Sequence, residues 1–290
     1  MKGINISDHF FSEKWMKILE EVTFFSKRSR CVWYRGQNNN GVDNGHSYCL
    51  VSSLFRFNYP LEQILEWEEI SYKRFMENGF DLHKTVNQWE LLYLMRHYGV
   101  KTRLLDWSES FAVALYFATK GWDGENECSI WLLDPHRLNK IFHNTTELIS
   151  MPRESSFLDK RNEYKKTVAL SPYMNTTRSV FQKGFFTMQG NTKEGLEIEG
   201  EQILMKEKVL KHIKLSPEIK NDIAMFLELS GVNNFALFPD LDGLATFVNQ
   251  WTTEDMIKKE VDEKYHETTY YRETGGGVRE WSEDEDTYKL

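Results

Sequence analysis

The chain has 290 residues, is 40% apolar and 14% aromatic, and carries a formal net charge of -8. That is enough to bury a large core, and the acidic balance argues against long-range attraction to nucleic acid or anionic membrane unless a local basic patch supplies it. Three cysteines, Cys31, Cys49 and Cys128, fit neither a metal spacing nor a closed disulfide set, which points to a reduced, cytoplasmic setting; no signal peptide and no run of 18 apolar residues is read.

In chain order, Trp15, Ile18, Leu19, Val22 and Phe25 recur at helical spacing and predict a helix from Ser12 to about 27, capped by Ser12. Cys31 to Tyr34 reads as a short buried strand that delivers Arg35, Gly36 and Gln37 to its end. An Arg beside a Gly at a strand exit either points into a cleft or bridges a core carboxylate. Asn and Gly content marks residues 38–45 as a loop, and Leu50 to Arg56 is expected as a strand or a short helix. Pro60 opens a helix with Leu61, Ile64, Leu65 and Ile70 on one face, Glu66, Glu68 and Glu69 on its solvated side, and Gly79 as its stop.

From about Val86 a further helix carries Leu91, Leu94, Met95 and Tyr98 and ends at Gly99. The chain then packs His97, Lys101, Thr102, Arg103, Asp106, Trp107 and Ser108 into a dozen residues, read as a polar turn between two helices. Such groups need partners if buried, so the turn is either an internal network or the floor of a site. Asp106 or Ser108 is expected to cap the next helix, Asp106 with Glu109 as a capping pair, and Phe111 to Ala118 to form a centrally buried helix. Ser129 to Leu133 reads as a buried strand closed by Asp134 and Pro135. Residues 138–179, with Met151-Pro152 and Ser171-Pro172, read as an irregular surface excursion. Order returns over Arg178 to Thr187, and a helix is expected after Ser216-Pro217, with Ile219, Ile223, Phe226 and Leu227 inward and Gly231 at its end. Residues 235–248 read as an apolar strand or loop followed by a short helix, in which Asp240 and Asp242 suit a turn better than a metal. Glu197, Glu199 and Glu201 alternate as on the wet face of a strand. The charged C-terminal stretch, with Gly275 to Gly277 and Glu283 to Asp286, reads as a flexible acidic tail. It can mask a cleft or hold a basic partner. No P-loop, Rossmann glycine motif, H-E-x-x-H or G-x-S-x-G occurs.

The series Tyr34-Arg35-Gly36-Gln37, Ser53-Leu54-Phe55-Arg56, His97 to Ser108, Ala114 to Ala118, Gln182-x-Gly184-x-Phe186-Thr187 and Leu237 to Leu244 resembles the FRG domain, a family named for its Phe/Tyr-Arg-Gly motif. Arg96 stands where the family usually has Gln, and Lys101 where it has Pro. The order of these islands is in turn similar to ADP-ribosyltransferases, by analogy of arrangement. That resemblance implies an α+β fold, an ADP-ribosyltransferase-like mixed β core surrounded by helices. The expected organisation is a single domain over 1–270, with its motif core at about 31–250, and the acidic tail over 271–290.

The resemblance also implies NAD as a substrate, no metal, and an early Arg, a hydroxyl and a late acceptor as machinery: Arg35, Thr102 and Gln182 as catalytic residues, with Glu197, Glu199 and Glu201 as alternative acceptors. Arg35, Gly36, His97, Tyr98, Thr102, Arg103 and Trp107 would hold NAD: the guanidiniums on phosphates, Thr102 on a ribose, Tyr98 or Trp107 on a planar base. His97 is a general base or, in the favoured reading, a structural donor. The target would be a macromolecule, nucleic acid or protein, and the context an intracellular toxin or anti-phage effector with an antitoxin or inhibitory partner and no membrane. The rival is a non-catalytic nucleotide- or protein-binding module in which Arg35, Arg56, Arg103 and Asp106 form a buried ionic network. The two part on whether Arg35 and Gln182 face one open cavity or are sealed apart.

Overall fold

A computed structural model describes residues 11–38, 49–83, 87–122, 124–150, 156–171, 182–253 and 256. The expected loop at 39–45, the Met151-Pro152 break, Pro172, the Arg178 to Phe181 stretch and the acidic tail lie outside them. The chain divides into two units, Met1–Pro239 and Asp240–Leu290.

The first unit is built on a mixed seven-stranded sheet of order β4-β5-β6-β2-β1-β3-β7. Its strands are β1 (Trp33–Gln37), β2 (Leu104–Ser108), β3 (Cys128–Leu133), β4 (Ile149–Ser150), β5 (Val168–Ser171), β6 (Gly184–Met188) and β7 (Leu210–Leu215). β4 and β5 run parallel; the other neighbours are antiparallel. The helices are α1 (Glu13–Ser26), α2 (Leu61–His83), α3 (Gln88–His97), α4 (Phe111–Thr119), α5 (Pro135–His143), α6 (Phe157–Lys160), α7 (Glu199–Lys206), α8 (Lys220–Leu229) and α9 (Asn234–Leu237). The result is an α/β unit with a mixed sheet.

On one face, Tyr34, Ile130, Leu132 and Ile213 of the strands pack under Trp15, Ile18 and Val22 of α1, Ala114, Leu115 and Ala118 of α4, and Ile223 of α8. The other face buries Trp33, Leu105, Trp107, Trp131 and Leu133 with Leu138 and Leu204. α3 closes a third cluster in which Trp89, Leu92 and Met95 meet Phe157, Leu170 and Phe186. α4 lies so close to β1 that a Cβ on Gly36 would stand 1.8 Å from the Ala114 carbonyl oxygen and 2.5 Å from the Ala118 nitrogen. Gly36 is therefore the residue that lets the buried helix dock.

Several expectations need correction. Leu104 to Ser108 is a central strand paired with β6, so the polar stretch is no turn and Asp106 no cap; Ser110 caps α4, accepting from Val113 N. Gly79 does not end α2, which runs on to His83, because the hydrogen-bonded ladder tolerates one glycine at a cost of about 1 kcal/mol. Glu68 is 3% exposed: it follows Ile64 by four residues and precedes Tyr72 by four, so it sits on the core face of α2. Leu50 to Arg56 forms neither strand nor helix but turns, held by Leu54 N to the Thr102 carbonyl (3.3 Å). Residues 138–179 are not merely an excursion, since they contribute α5, β4, α6 and β5. Residues 210–215 form an edge strand. The Glu197 to Glu201 alternation is not a strand: Gly200, Glu201 and Gln202 take left-handed φ of 61°, 59° and 64° at the start of α7. Asn234 to Leu237 is a helical turn rather than a strand.

In the second unit a helix covers residues 241–253, opened by Asp240, whose Oδ1 accepts from Gly243 N at 2.8 Å. No described helix is long and apolar enough to cross a membrane, and the described residues contain no cluster of three His, Cys, Asp or Glu able to hold a metal.

Candidate functional site

The site starts from a gap in hydrogen bonding at the centre of the sheet. β1 pairs with β3 along all five of its residues, whereas its register with β2 rests on Tyr34 opposite Ser108. Past that pair the link is made by a side chain: Arg35 Nη1 donates to the Asp106 carbonyl at 2.7 Å. The two strands part into a notch, and above it lies a cavity of about 860 Å³, within the range that takes a nucleotide-sized ligand.

Register explains why Arg35 stands there. It faces Trp131 on β3, and Tyr34 opposite Ser108 sets it across from Trp107, which in turn faces Phe185; Trp131 faces His212. A guanidinium is thus held in a row of rings across five strands. Burial is the chief reason its pKa falls to about 10, the Asp106 carboxylate opposing and Arg96 and Arg56 adding to the fall; it remains charged at neutral pH. Its Nε is buried without a partner. An orphaned donor on a cavity wall is where a ligand oxygen gains most.

Arg96, at the end of α3, grips the Asp106 carboxylate from the other side. Its Nε lies 3.1 Å from each oxygen and its Nη2 donates to Oδ2. Arg35 Nη1 is 3.6 Å from that same Oδ2. Burial works to raise the Asp106 pKa, but the two guanidiniums outweigh it and hold the carboxyl below its ordinary value, while Asp106 raises Arg96 against the effect of burial. Asp106 is the sole carboxylate among the described cavity-lining residues, which also include Arg35, Arg56, Arg96, His97 and Lys193. The chain is acidic overall but the cavity is cationic, and Tyr34, Phe55, Phe57, Tyr93, Trp107, Phe117 and Phe185 surround those charges with rings. Cations among aromatic walls suit a phosphorylated ligand with a planar base.

Gln182 lines the same cavity. Its Nε2 donates to the Leu237 carbonyl (3.1 Å) and its backbone carbonyl accepts from Ser108 Oγ (2.7 Å), so α9 and β2 both hold it. Gly36, His97 and Trp107 are also in the wall, the indole fixed by its donation to Thr187 Oγ1 at 3.0 Å.

Three sequence candidates are elsewhere. Thr102 is 1% exposed and outside the lining; its Oγ1 accepts from Leu104 N and its carbonyl ties down the 53–54 turn. Arg103 is fully buried, forked onto Glu68 through Nε (2.7 Å) and Nη2 (2.5 Å), with Arg161 on the same carboxylate at 3.1 Å. It is a brace and lies outside the cavity lining. Tyr98 is 69% exposed and outside the cavity wall. Of the alternative acceptors, Glu199 is buried against Thr167 N and raised by burial, Glu197 accepts from Leu50 N, and Glu201 is exposed; none lines the cavity. The ionic network anticipated from Arg35, Arg56, Arg103 and Asp106 is two networks, one in the cleft and one sealed beneath α2.

The cavity also uses residues the sequence did not single out as ligands: Gln37, Cys49, Phe57, Arg96 and Lys193. Two carried a signal: Gln37, as the last residue of the Tyr34-Arg35-Gly36-Gln37 motif, and Arg96, as a Gln-to-Arg departure beside His97. Residues 30–127 match the FRG domain model, which takes in β1, α2, α3, β2 and α4 and so three of the cavity's cations, Arg35, Arg56 and Arg96; Gln182 and Lys193 lie outside the match. No curated protein and no solved structure matches the chain.

Proposed function

We propose that this chain, which carries an FRG domain over residues 30–127, binds NAD in the Arg35 cleft and transfers its ADP-ribosyl group to a macromolecule. One observation carries the reading: Arg35 and Gln182, 147 residues apart, line one open cavity whose other charged groups are overwhelmingly cationic. In this reading Arg35 and Arg56 bind the pyrophosphate, the forked guanidinium giving two charge-assisted bonds, and the ring-lined wall takes the planar bases. The bond from ribose to nicotinamide breaks with its electron pair leaving on nicotinamide, and a lone pair of the acceptor forms the new bond to the same carbon. Gln182 takes up no proton at neutral pH, so its amide oxygen orients the nucleophile and supports the developing cation. His97, which lines the same cavity, is the candidate to receive the nucleophile's proton. The proposal extends to an effector role, as a toxin or in anti-phage defence, held in check by a partner.

A second reading has its own observation. Asp106 is clamped by Arg35 and Arg96, so the described lining residues offer no free carboxylate to a cationic transition state, and a module that binds a nucleotide without turnover fits that equally. Incubating the pure protein with labelled NAD and separate pools of RNA, DNA and protein decides between them. Transfer to one pool, lost in a folded Arg35→Ala variant, is the expected result; nucleotide binding with neither transfer nor NAD consumption supports the module and overturns the transferase.

A further inference from the structure

Gln37 lines the cavity, and its amide is locked from both ends. Trp131 Nε1 donates to Gln37 Oε1 at 2.9 Å, and Gln37 Nε2 donates to the Cys49 carbonyl at 3.4 Å. An indole N–H can only donate and a backbone carbonyl can only accept, so both neighbours demand the same orientation of the amide. The register makes the lock rigid: Arg35 and Trp131 are cross-strand partners, and Gln37, two residues along β1, shares their face. Trp131 is 4% exposed and stacks on His212 with 4.1 Å between centroids at 14°, so the donor cannot swing away. The long bond to Cys49 uses one of the two Nε2 hydrogens and leaves the other for a ligand.

We propose that Gln37 is a specificity-determining residue of the cleft, offering a fixed N–H donor to an anionic oxygen of the bound nucleotide, and that Trp131 is the positioning residue that keeps the amide from turning its oxygen inward. The ligand chemistry is that of a phosphate or pyrophosphate oxygen, because Arg35, on the same strand face, also presents only donors, one of them the buried Nε without a partner, and neighbouring donors call for an acceptor oxygen on the ligand. This assignment rests on the nucleotide reading of the cleft.

The test is equilibrium titration of the full chain with NAD, ADP-ribose and adenosine, comparing wild type with Arg35→Ala, Gln37→Met, Gln37→Glu and Trp131→Phe. Gln37→Met keeps length without the amide and is expected to weaken NAD and ADP-ribose about tenfold while leaving the weaker adenosine affinity unchanged. Gln37→Glu still accepts from Trp131 but puts a carboxylate where the donor was, and is expected to lose more than Gln37→Met. Trp131→Phe is expected to weaken ADP-ribose in the wild-type background and to add nothing in the Gln37→Met background, a non-additivity that general destabilisation would not give. Equal affinity of Gln37→Met and wild type for ADP-ribose, with Arg35→Ala still defective, overturns this assignment and leaves the nucleotide reading intact. Absence of NAD, ADP-ribose and adenosine binding by the wild-type chain overturns both.

Discussion

Among the described residues, replacing Glu68 by Ala removes the only carboxylate that Arg103 touches and one of two that Arg161 touches. The wild-type group sits on the core face of α2 with 4% of its side chain exposed, facing guanidiniums that are 0% and 6% exposed. Three charge-assisted hydrogen bonds are lost together. Arg103 keeps contacts to the Arg161 carbonyl and to Asn191 Oδ1, and Arg161 keeps Glu69 at 3.0 Å and the Leu65 carbonyl, so neither cation is stripped completely. Breaking a buried pair by deleting one partner costs about 3–5 kcal/mol, a large share of the roughly 5–15 kcal/mol that holds a domain together. Urea unfolding at pH 7, followed by tryptophan fluorescence, is expected to show that loss in Glu68→Ala. Glu66→Ala, two residues away on the exposed side of the same helix, should stay within about 0.5 kcal/mol of wild type. A Glu68→Ala cost below about 1 kcal/mol refutes the reasoning, since it means the two guanidiniums find water or other partners without disturbing the fold.

Gly36→Ala is expected to be insoluble or destabilised by more than the roughly 1–3 kcal/mol of ordinary overpacking, because its Cβ collides with backbone of α4; Gly99→Ala, with open space but φ of 82°, should cost only about 1–2 kcal/mol, and urea midpoints compare the two. Asp106, held below its ordinary value in the folded chain, contributes stability that is complete above the unfolded carboxyl value and lost as pH falls through the folded one. Urea midpoints measured from pH 6 to pH 3 should therefore fall less steeply in Asp106→Asn than in wild type, and identical slopes would count against the clamp. Burial, aided by Glu197, pushes the Cys49 thiol up to about 11, so iodoacetamide labelling at pH 7.5 should be far slower at Cys49 than for an ordinary exposed thiol. Bound NAD should slow it further, as mass spectrometry of the labelled chain would show.

Much of the local structure was legible from the residues. The i, i+3, i+4 pattern of Trp15, Ile18, Val22 and Phe25 and the Ser12 cap mark α1, the unbroken apolar run of Phe111 to Ala118 marks α4, and Gly99 and Gly231 stop their helices with positive φ. These features are settled within one or two turns of chain, where side-chain period and backbone sterics act alone. Arg35 and Gln182 could also be singled out, each within two residues of a glycine in a short motif, but that they line one cavity follows only from β1, β2 and β6 lying side by side.

What sequence could not settle was the fate of each polar group, because that depends on partners far along the chain. Thr102, Arg103 and Asp106 sit within five residues of one another, yet Arg103 is consumed by Glu68 and Arg161, Thr102 by the turn before α2, and Asp106 by Arg96 and Arg35. Strand alternation sends neighbouring side chains to opposite faces, and only the assembled sheet says what waits on each. By its charge Glu68 reads as solvated, while helical period puts it on the buried face of α2 and Arg103 makes that burial tolerable. By itself the sequence determined the elements bounded by period, caps and glycines, together with the pair of residues on which the functional reading rests. The tertiary structure alone decided which cations face ligand and which face carboxylate, because a guanidinium's role is set by the nearest oxygen rather than by its place in a motif.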